Sequence, residues 1–385
     1  MRIVIAPDSF KDALSAHAAA QAIAQGVARA LPDAETVICP LGDGGEGTLA
    51  AMLVASNARQ CTCEVKDALM RPKTAHWGLI EDAQGRSAII ELAEACGLQD
   101  VAPAERDARV TTTYGVGQLM LAALDEGVEK FMLTLGGSAT NDAGSGMLAA
   151  LGARFLNEHG NPLPAGGLAL ADLATLDLEG LDPRLAQVQI EAAVDVDNPL
   201  LGERGASAVF GPQKGATPQV VEELDRALGH FADVTATTLG HDYRDQPGAG
   251  AAGGMGFAAR AFFNATLRPG IELVTERLGF SEILAGADLL IVGEGGLDAQ
   301  SLGGKTPVGA ARLARQQNIP CVALVGKLGA GWKDAHHEGI TAAFALAEGP
   351  TQLEEALAMT AQALTSRSEE IVRLFKAAQG LSFSS

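Results

Sequence analysis

The chain has 385 residues, enough for two domains of ordinary size, and its 47% hydrophobic content can supply a core for each. A net charge of −19 excludes a protein that grips a polyanion such as nucleic acid by sequence-independent attraction, but not one that binds a small anion. Aromatic residues are only 4% and lysines only nine, so the cores must be built from Ala, Val, Leu and Ile, and a lysine inside a glycine-rich loop stands out. Five irregularly spaced cysteines, in a chain too large to need covalent staples, read as reduced thiols. Cys61 and Cys63 have no second pair or neighbouring His to make a zinc site. With no signal-like start and no run of membrane-span length, the expectation is a cytoplasmic protein with no membrane or nucleic-acid partner. A homodimer is left open, because apolar surface cannot be told from core in the sequence.

In chain order, Arg2–Ala6 predicts a buried strand stopping at Pro7-Asp8-Ser9-Phe10-Lys11, followed by a helix over about Ser15–Leu31 and a strand over Thr36–Cys39. This is a βαβ beginning, and its first loop lies where an open parallel sheet presents ligands, at the carboxyl end of a strand. Gly42-Asp43-Gly44-Gly45-Glu46-Gly47-Thr48 then opens a helix near Leu49; its two carboxylates among glycines suit a metal or hydroxyl-bearing ligand better than an anion. Strands over Cys61–Val65, Thr74–Ile80 and Ser87–Leu92 have the pattern of antiparallel partners and mark entry into a second domain.

Lys130–Leu135 predicts another buried strand, running into Gly136-Gly137-Ser138-Ala139-Thr140-Asn141-Asp142. One helix cap needs one such polar side chain, and this loop has four, so it reads as a binding loop. Ile190–Val194 is a strand ending in Asp195-Val196-Asp197-Asn198. Alternation would send both carboxylates to one side, where they would serve a divalent metal or a general base. The turn Phe210–Ala216 carries a lone Lys214 ahead of a helix over Pro218–Thr238, and the uncharged glycine cluster Pro247–Gly256 reads as a close packing contact. Finally Leu289–Val292 predicts a buried strand entering the loop Gly293-Glu294-Gly295-Gly296-Leu297-Asp298, and a helix begins near Val308. Gly304-Lys305-Thr306 approaches the familiar phosphate loop, but Ala299 stands where that loop needs its leading Gly. Thr306 is expected to cap the helix, with Glu294 and Asp298 available to Mg²⁺ and Lys305 to an anion.

The order of these loops, Ala6–Lys11, Asp43–Thr48, Gly136–Asp142, Asp195–Leu200, Phe210–Ala216, Pro247–Gly254 and Gly293–Ser301 with Gly304-Lys305, resembles the type 1 glycerate kinase family. The resemblance covers nearly the whole chain. It implies an α/β protein in which a Rossmann- or flavodoxin-like parallel-sheet domain (1–60 and 284–385) carries an inserted α/β domain (61–283), with the ligands in the cleft between them. It implies ATP-dependent, Mg²⁺-assisted phosphorylation of D-glycerate to 2-phosphoglycerate. On that reading Asp195, Asp197 and Lys11 are catalytic, with Asp195 taking the proton of the attacking hydroxyl. Gly136, Gly137, Ser138, Asn141, Lys214, Gly295 and Lys305 hold ATP, and Asp8, Ser9, Asp43, Glu46, Asn198 and Ser301 hold glycerate. Asp197, Glu294 and Asp298 hold the metal.

Gly296 departs from the family pattern, which usually has Arg there, while Gly42, Asp12-Ala13 and Val194 are milder departures. A kinase for another small hydroxy acid shares every feature. A metal-dependent sugar-acid hydrolase or lyase would use the same loops without ATP, and a metabolite-binding regulator would bind without transfer.

Overall fold

A computed structural model describes residues 1–83, 85–347, 349 and 351–380. The chain divides into two compact units, one formed by residues 1–43, 50–57 and 270–385, the other by 44–49 and 58–269.

The first unit is built on five parallel strands in the order Ile340–Ala345, Cys321–Leu328, Leu289–Leu297, Arg2–Pro7 and Glu35–Ile38. Ile3, Val4, Ile5 and Leu289–Val292 are completely buried, as the continuous apolar runs require of strands covered on both faces. Ser15 caps the helix Ala16–Ala30 by accepting the Ala18 N–H at 3.2 Å. That helix packs on the helix Thr360–Ala378 at very close range: a Cβ on Gly26 would lie 2.1 Å from Ser368 Oγ.

The Leu289–Leu297 strand is longer than the apolar run predicts. Its ladder with Cys321–Leu328 continues past Val292 to the pairs Gly296–Lys327 and Leu297–Leu328, so Glu294 stands within the strand rather than in a loop.

The second unit has a six-stranded sheet in the order Thr266–Arg268, Gln189–Ala193, Lys130–Thr134, Gly85–Glu91, Pro72–Asp82 and Arg59–Lys66. The last three pair antiparallel, as the sequence suggests, and the remainder are parallel. Its core holds the fully buried Trp77 and a cluster in which Phe231 meets the rings of Phe155, Phe257 and Phe262 at 5.8, 5.7 and 6.2 Å.

The α/β class and the parallel first sheet are as expected. The unit boundaries differ from 61–283 at 44–49, 58–60 and 270–283, and the first and last of these have a local cause. The helices Gly270–Arg277 and Phe280–Leu284 belong to the first unit because they pack on the helix Thr306–Gln316, with Ile271 seated against Gly309. Residues 44–49 belong to the second because the Glu91 carboxylate accepts the N–H groups of Gly47 and Leu49, both at 2.8 Å. All five cysteines are free thiols. Among the described residues no helix is long and apolar enough to cross a membrane.

Candidate active site

In the first unit, functional side chains gather at the carboxyl ends of the central strands, where parallel sheets place their ligands. Asp8 follows the strand Arg2–Pro7. It accepts the Thr306 hydroxyl on one oxygen and the Ser9 N–H, at 2.6 Å, on the other. Glu294 lies within the neighbouring strand, three residues before its end, almost completely buried, and accepts the Ser301 hydroxyl at 3.0 Å. Burial pushes the Asp8 carboxyl up to about 7; nearby Asp43 reinforces this, and the bonds from Thr306 and Ser9 oppose it. Burial likewise pushes Glu294 up to about 7, opposed by Ser301 and Lys305 and reinforced by Asp8 and Asp43. The three carboxylates therefore share one field, with Lys305 beside them. Such a set is stable only when protonated or when a cation is added.

Two expected roles change. Thr306 does not cap its helix: Lys305 occupies the capping position, and the threonine hydroxyl goes to Asp8. Asp298, expected on the metal, folds back on its own turn, its Oδ1 accepting the N–H of Gln300 at 2.9 Å and lying 3.4 Å from that of Ser301. It thereby sets the serine that bonds Glu294. Lys11 and Gly295 are exposed on the same unit.

In the second unit the loop 136–146 is held from within. Asp142 is fully buried and accepts from Thr113 N (2.8 Å), Thr113 Oγ1 (2.9 Å), Gly146 N (3.1 Å), Thr112 Oγ1 (3.2 Å) and Gly144 N (3.2 Å). Burial raises its pKa and these donors work against that rise.

Lys214, expected on the nucleotide, is also buried. Its ammonium donates to Ser138 Oγ at 2.7 Å and to the Thr140 carbonyl at 2.6 Å, and burial lowers its pKa to about 8. It is a strut for the loop. Asn141 donates to Ser207 Oγ at 2.9 Å, while its own Oδ1 and the Thr140 hydroxyl have no partner among the described residues.

The glycine cluster buttresses the same loop. Ala252, Gly253 and Gly254 have φ of 52°, 68° and 91°, and a Cβ on Gly253 would lie 2.0 Å from the Thr140 carbonyl oxygen. Only glycine permits that approach at that conformation. Gly136 lies against the backbone of Gly45, and Gly137 against Ala93 and Glu46; Glu46 itself accepts from Gln99 at 2.8 Å.

Asp195 and Asp197 do not stack on one face of a strand, because the strand stops at Ala193 and both are exposed in the loop beyond it. Asp197 pairs with Arg204 at 2.8 Å, and Asn198 donates to the Arg204 carbonyl at 2.7 Å, so both fix this loop. Asp195 remains at the carboxyl end of a parallel strand. Glu91, which sequence reasoning missed, is the carboxylate that holds the Asp43–Thr48 loop, and burial raises it to about 7 against the N–H groups of Leu49 and Gly47. Its signal was available: it follows the apolar run Ala88–Ile90 directly, as Glu294 follows Leu289–Gly293.

Among the described residues no three His, Cys, Asp or Glu side chains form a ready metal cage. Mg²⁺ seldom needs one, since it binds through one or two carboxylates plus phosphate oxygens and water.

A family model described as the glycerate kinase family matches residues 3–376. The glycerate kinase of Haemophilus influenzae is 46% identical over 374 residues, covering 97% of this chain and 98% of that protein. The glycerate 2-kinase of Escherichia coli K12 is 45% identical over 356 residues, covering 92% of this chain and 93% of that protein. A crystal structure assigned as glycerate kinase 2 of Salmonella typhimurium LT2 superposes with a TM-score of 0.87 at 46% identity, covering 99% of this chain and 100% of that one. The fold, its acidic strand ends and these matches define an α/β kinase. The chain belongs to the glycerate kinase family.

Proposed function

We propose that this chain transfers the terminal phosphoryl group of ATP to the 2-hydroxyl of D-glycerate, giving 2-phosphoglycerate and ADP. The observation that carries the reading is the group Asp8, Asp43 and Glu294, two of them pushed up to about 7 in the same field, with Lys305 alongside. Phosphoryl transfer is chiefly positioning and charge neutralisation, and neighbouring carboxylates that repel one another at strand-end loops are a place where a nucleotide-bound Mg²⁺ is stabilising.

Glu294 and Asp8 would hold that ion, which when bound neutralises phosphate charge. Lys305 and Lys11 supply charge to phosphate or to the substrate carboxylate. Ser301 and Thr306 fix the two carboxylates in place. In the second unit the Ser138–Asp142 loop, braced by Lys214, keeps the Thr140 hydroxyl and Asn141 Oδ1 unpartnered among the described residues and so available to ligand, and Asp195 accepts the proton of the attacking hydroxyl.

The test is a ³¹P NMR time course with ATP and D-glycerate, run also with L-glycerate and without metal. A 2-phosphoglycerate resonance that requires the D-isomer and Mg²⁺ is expected. A 3-phosphoglycerate resonance would refute the position of transfer, and unchanged ATP would refute the reaction.

A further inference from the structure

We infer that the first unit carries the nucleotide pocket in a cleft that none of the sequence motifs marks apart from Lys11 and Gly295; the inference rests on the kinase reading above and names where its nucleotide sits. The cleft has a volume of about 590 Å³ and lies between the ends of the strands Leu289–Leu297 and Cys321–Leu328 and the helices Leu353–Ala358 and Thr360–Ala378. That is within the range of nucleotide-sized sites and far more than a three-carbon acid can fill.

Its two ends differ in chemistry. The helix side is apolar, formed by Leu346, Leu357 and Met359, and Leu353 and Met359 stand unusually exposed for their type, at 72% and 44%. Large apolar side chains left open to water beside a cleft mark a surface that a flat apolar group covers. Gln362 and Glu355 line the same end and offer an amide and an acceptor for a base edge or ribose hydroxyls.

The strand side carries two lysines and one carboxylate, Asp12, and lies one residue from Glu294. Lys11 and Lys327 both line it, and neither makes a hydrogen bond or ion pair among the described residues. In a chain of net charge −19, with 47 acidic residues, two lysines left without carboxylate partners at one cleft are a site for an anion. Gly296 contributes by having no side chain: a Cβ there would lie 3.4 Å from Lys327 Cγ and 3.5 Å from its Cε, so the lysine stem lies across that position.

An apolar end with hydrogen-bonding groups, a cationic end, and a metal-binding carboxylate next to the cationic end fit a purine nucleoside in the first part and its phosphates over Lys11 and Lys327. The last phosphate is then directed toward Glu294.

Isothermal titration with ADP tests this on the full chain, comparing wild type with Lys327→Gln and Ala356→Trp. Ala356 lines the apolar end and is only partly buried, so the indole fills the cleft without disturbing a core. Lys327→Gln is expected to weaken ADP five- to twenty-fold in low salt, with the difference shrinking at high salt. Ala356→Trp is expected to weaken it more than tenfold. Neither should change the melting temperature or the KM for D-glycerate. ADP affinity within twofold of wild type in both variants would overturn the pocket while leaving the kinase reading intact. A wild-type protein that binds no ADP would overturn both. ADP binding that is lost in the variants, from a wild type that transfers no phosphate to D-glycerate, would uphold the pocket and refute the proposed reaction.

Discussion

Glu294→Gln is expected to lower kcat by about 10²–10³-fold and, in the same protein, to raise the melting temperature at pH 8. Both effects come from one group. Glu294 is 8% exposed, and burial raises its pKa from 4.5 to about 7. Between those values the folded state binds more protons than the unfolded one, so the contribution of Glu294 to stability falls as pH rises from about 4.5 to about 7 and stays low above it. The full shift corresponds to about 3 kcal/mol, shared in part with Asp8 and Asp43 because the three repel one another.

Gln keeps the acceptor for Ser301 and removes the charge. A gain of about 1–3 kcal/mol, roughly 3–8 °C, should therefore appear at pH 8 in the presence of EDTA and shrink toward nothing at pH 5, where wild-type Glu294 is itself neutral. Thermal melts at the two pH values and steady-state kinetics at pH 8 check it. A glutamine variant with wild-type kcat would remove Glu294 from the reaction, and a gain over wild type no larger at pH 8 than at pH 5 would show that the carboxylate is ordinarily solvated. The expected pairing of lost rate with gained stability is what a functional charge held in an unfavourable place produces.

The sheets were legible where residues repeat a simple rule. Ile3, Val4 and Ile5, or Phe131, Met132 and Leu133, are continuous apolar runs, and each is a buried strand. The strand Ile340–Ala345 was not read, because Thr341-Ala-Ala-Phe-Ala is poor in β-branched residues and is a strand only through its pairing with Cys321–Val325. The extension of Leu289–Leu297 over three glycines has the same origin.

At the site, residue type was legible and destination was not. Asp8 and Glu294 announced themselves by their places just after buried apolar runs. That Lys214 would point inward, or that Thr306 would serve Asp8 across 298 positions of sequence, depends on contacts no local pattern encodes. The glycine at 296, conspicuous as a departure from the family pattern, has a neighbour in Lys327 that the sequence placed 31 positions away and the ladder places opposite it.

Asp142→Ala should be the most damaging single change in the second unit. The carboxylate is the common acceptor for the backbone N–H groups of Thr113, Gly144 and Gly146 and for the hydroxyls of Thr112 and Thr113, all inside a region closed to water. Deleting it leaves buried donors without partners, at about 1–3 kcal/mol for each that finds none, so a loss of at least about 4 kcal/mol is expected.

The chain's two tryptophans allow the loss to be placed: Trp77 is in the core of the second unit and Trp332 in the first. In a Trp332→Phe background, the urea midpoint followed by Trp77 fluorescence should fall sharply for Asp142→Ala and by less for Asp142→Asn, which keeps one acceptor oxygen and the shape of the side chain. A shift below about 1 kcal/mol for alanine would mean that water replaces the carboxylate, and the loop would then need another anchor. Because the Ser138–Asp142 loop is also the one proposed to face ligand, the asparagine variant separates the two duties. If it folds and yet loses turnover, the charge of Asp142 matters to more than the fold; if activity follows stability, Asp142 is the loop's internal support and the ligand is left to the side chains around it.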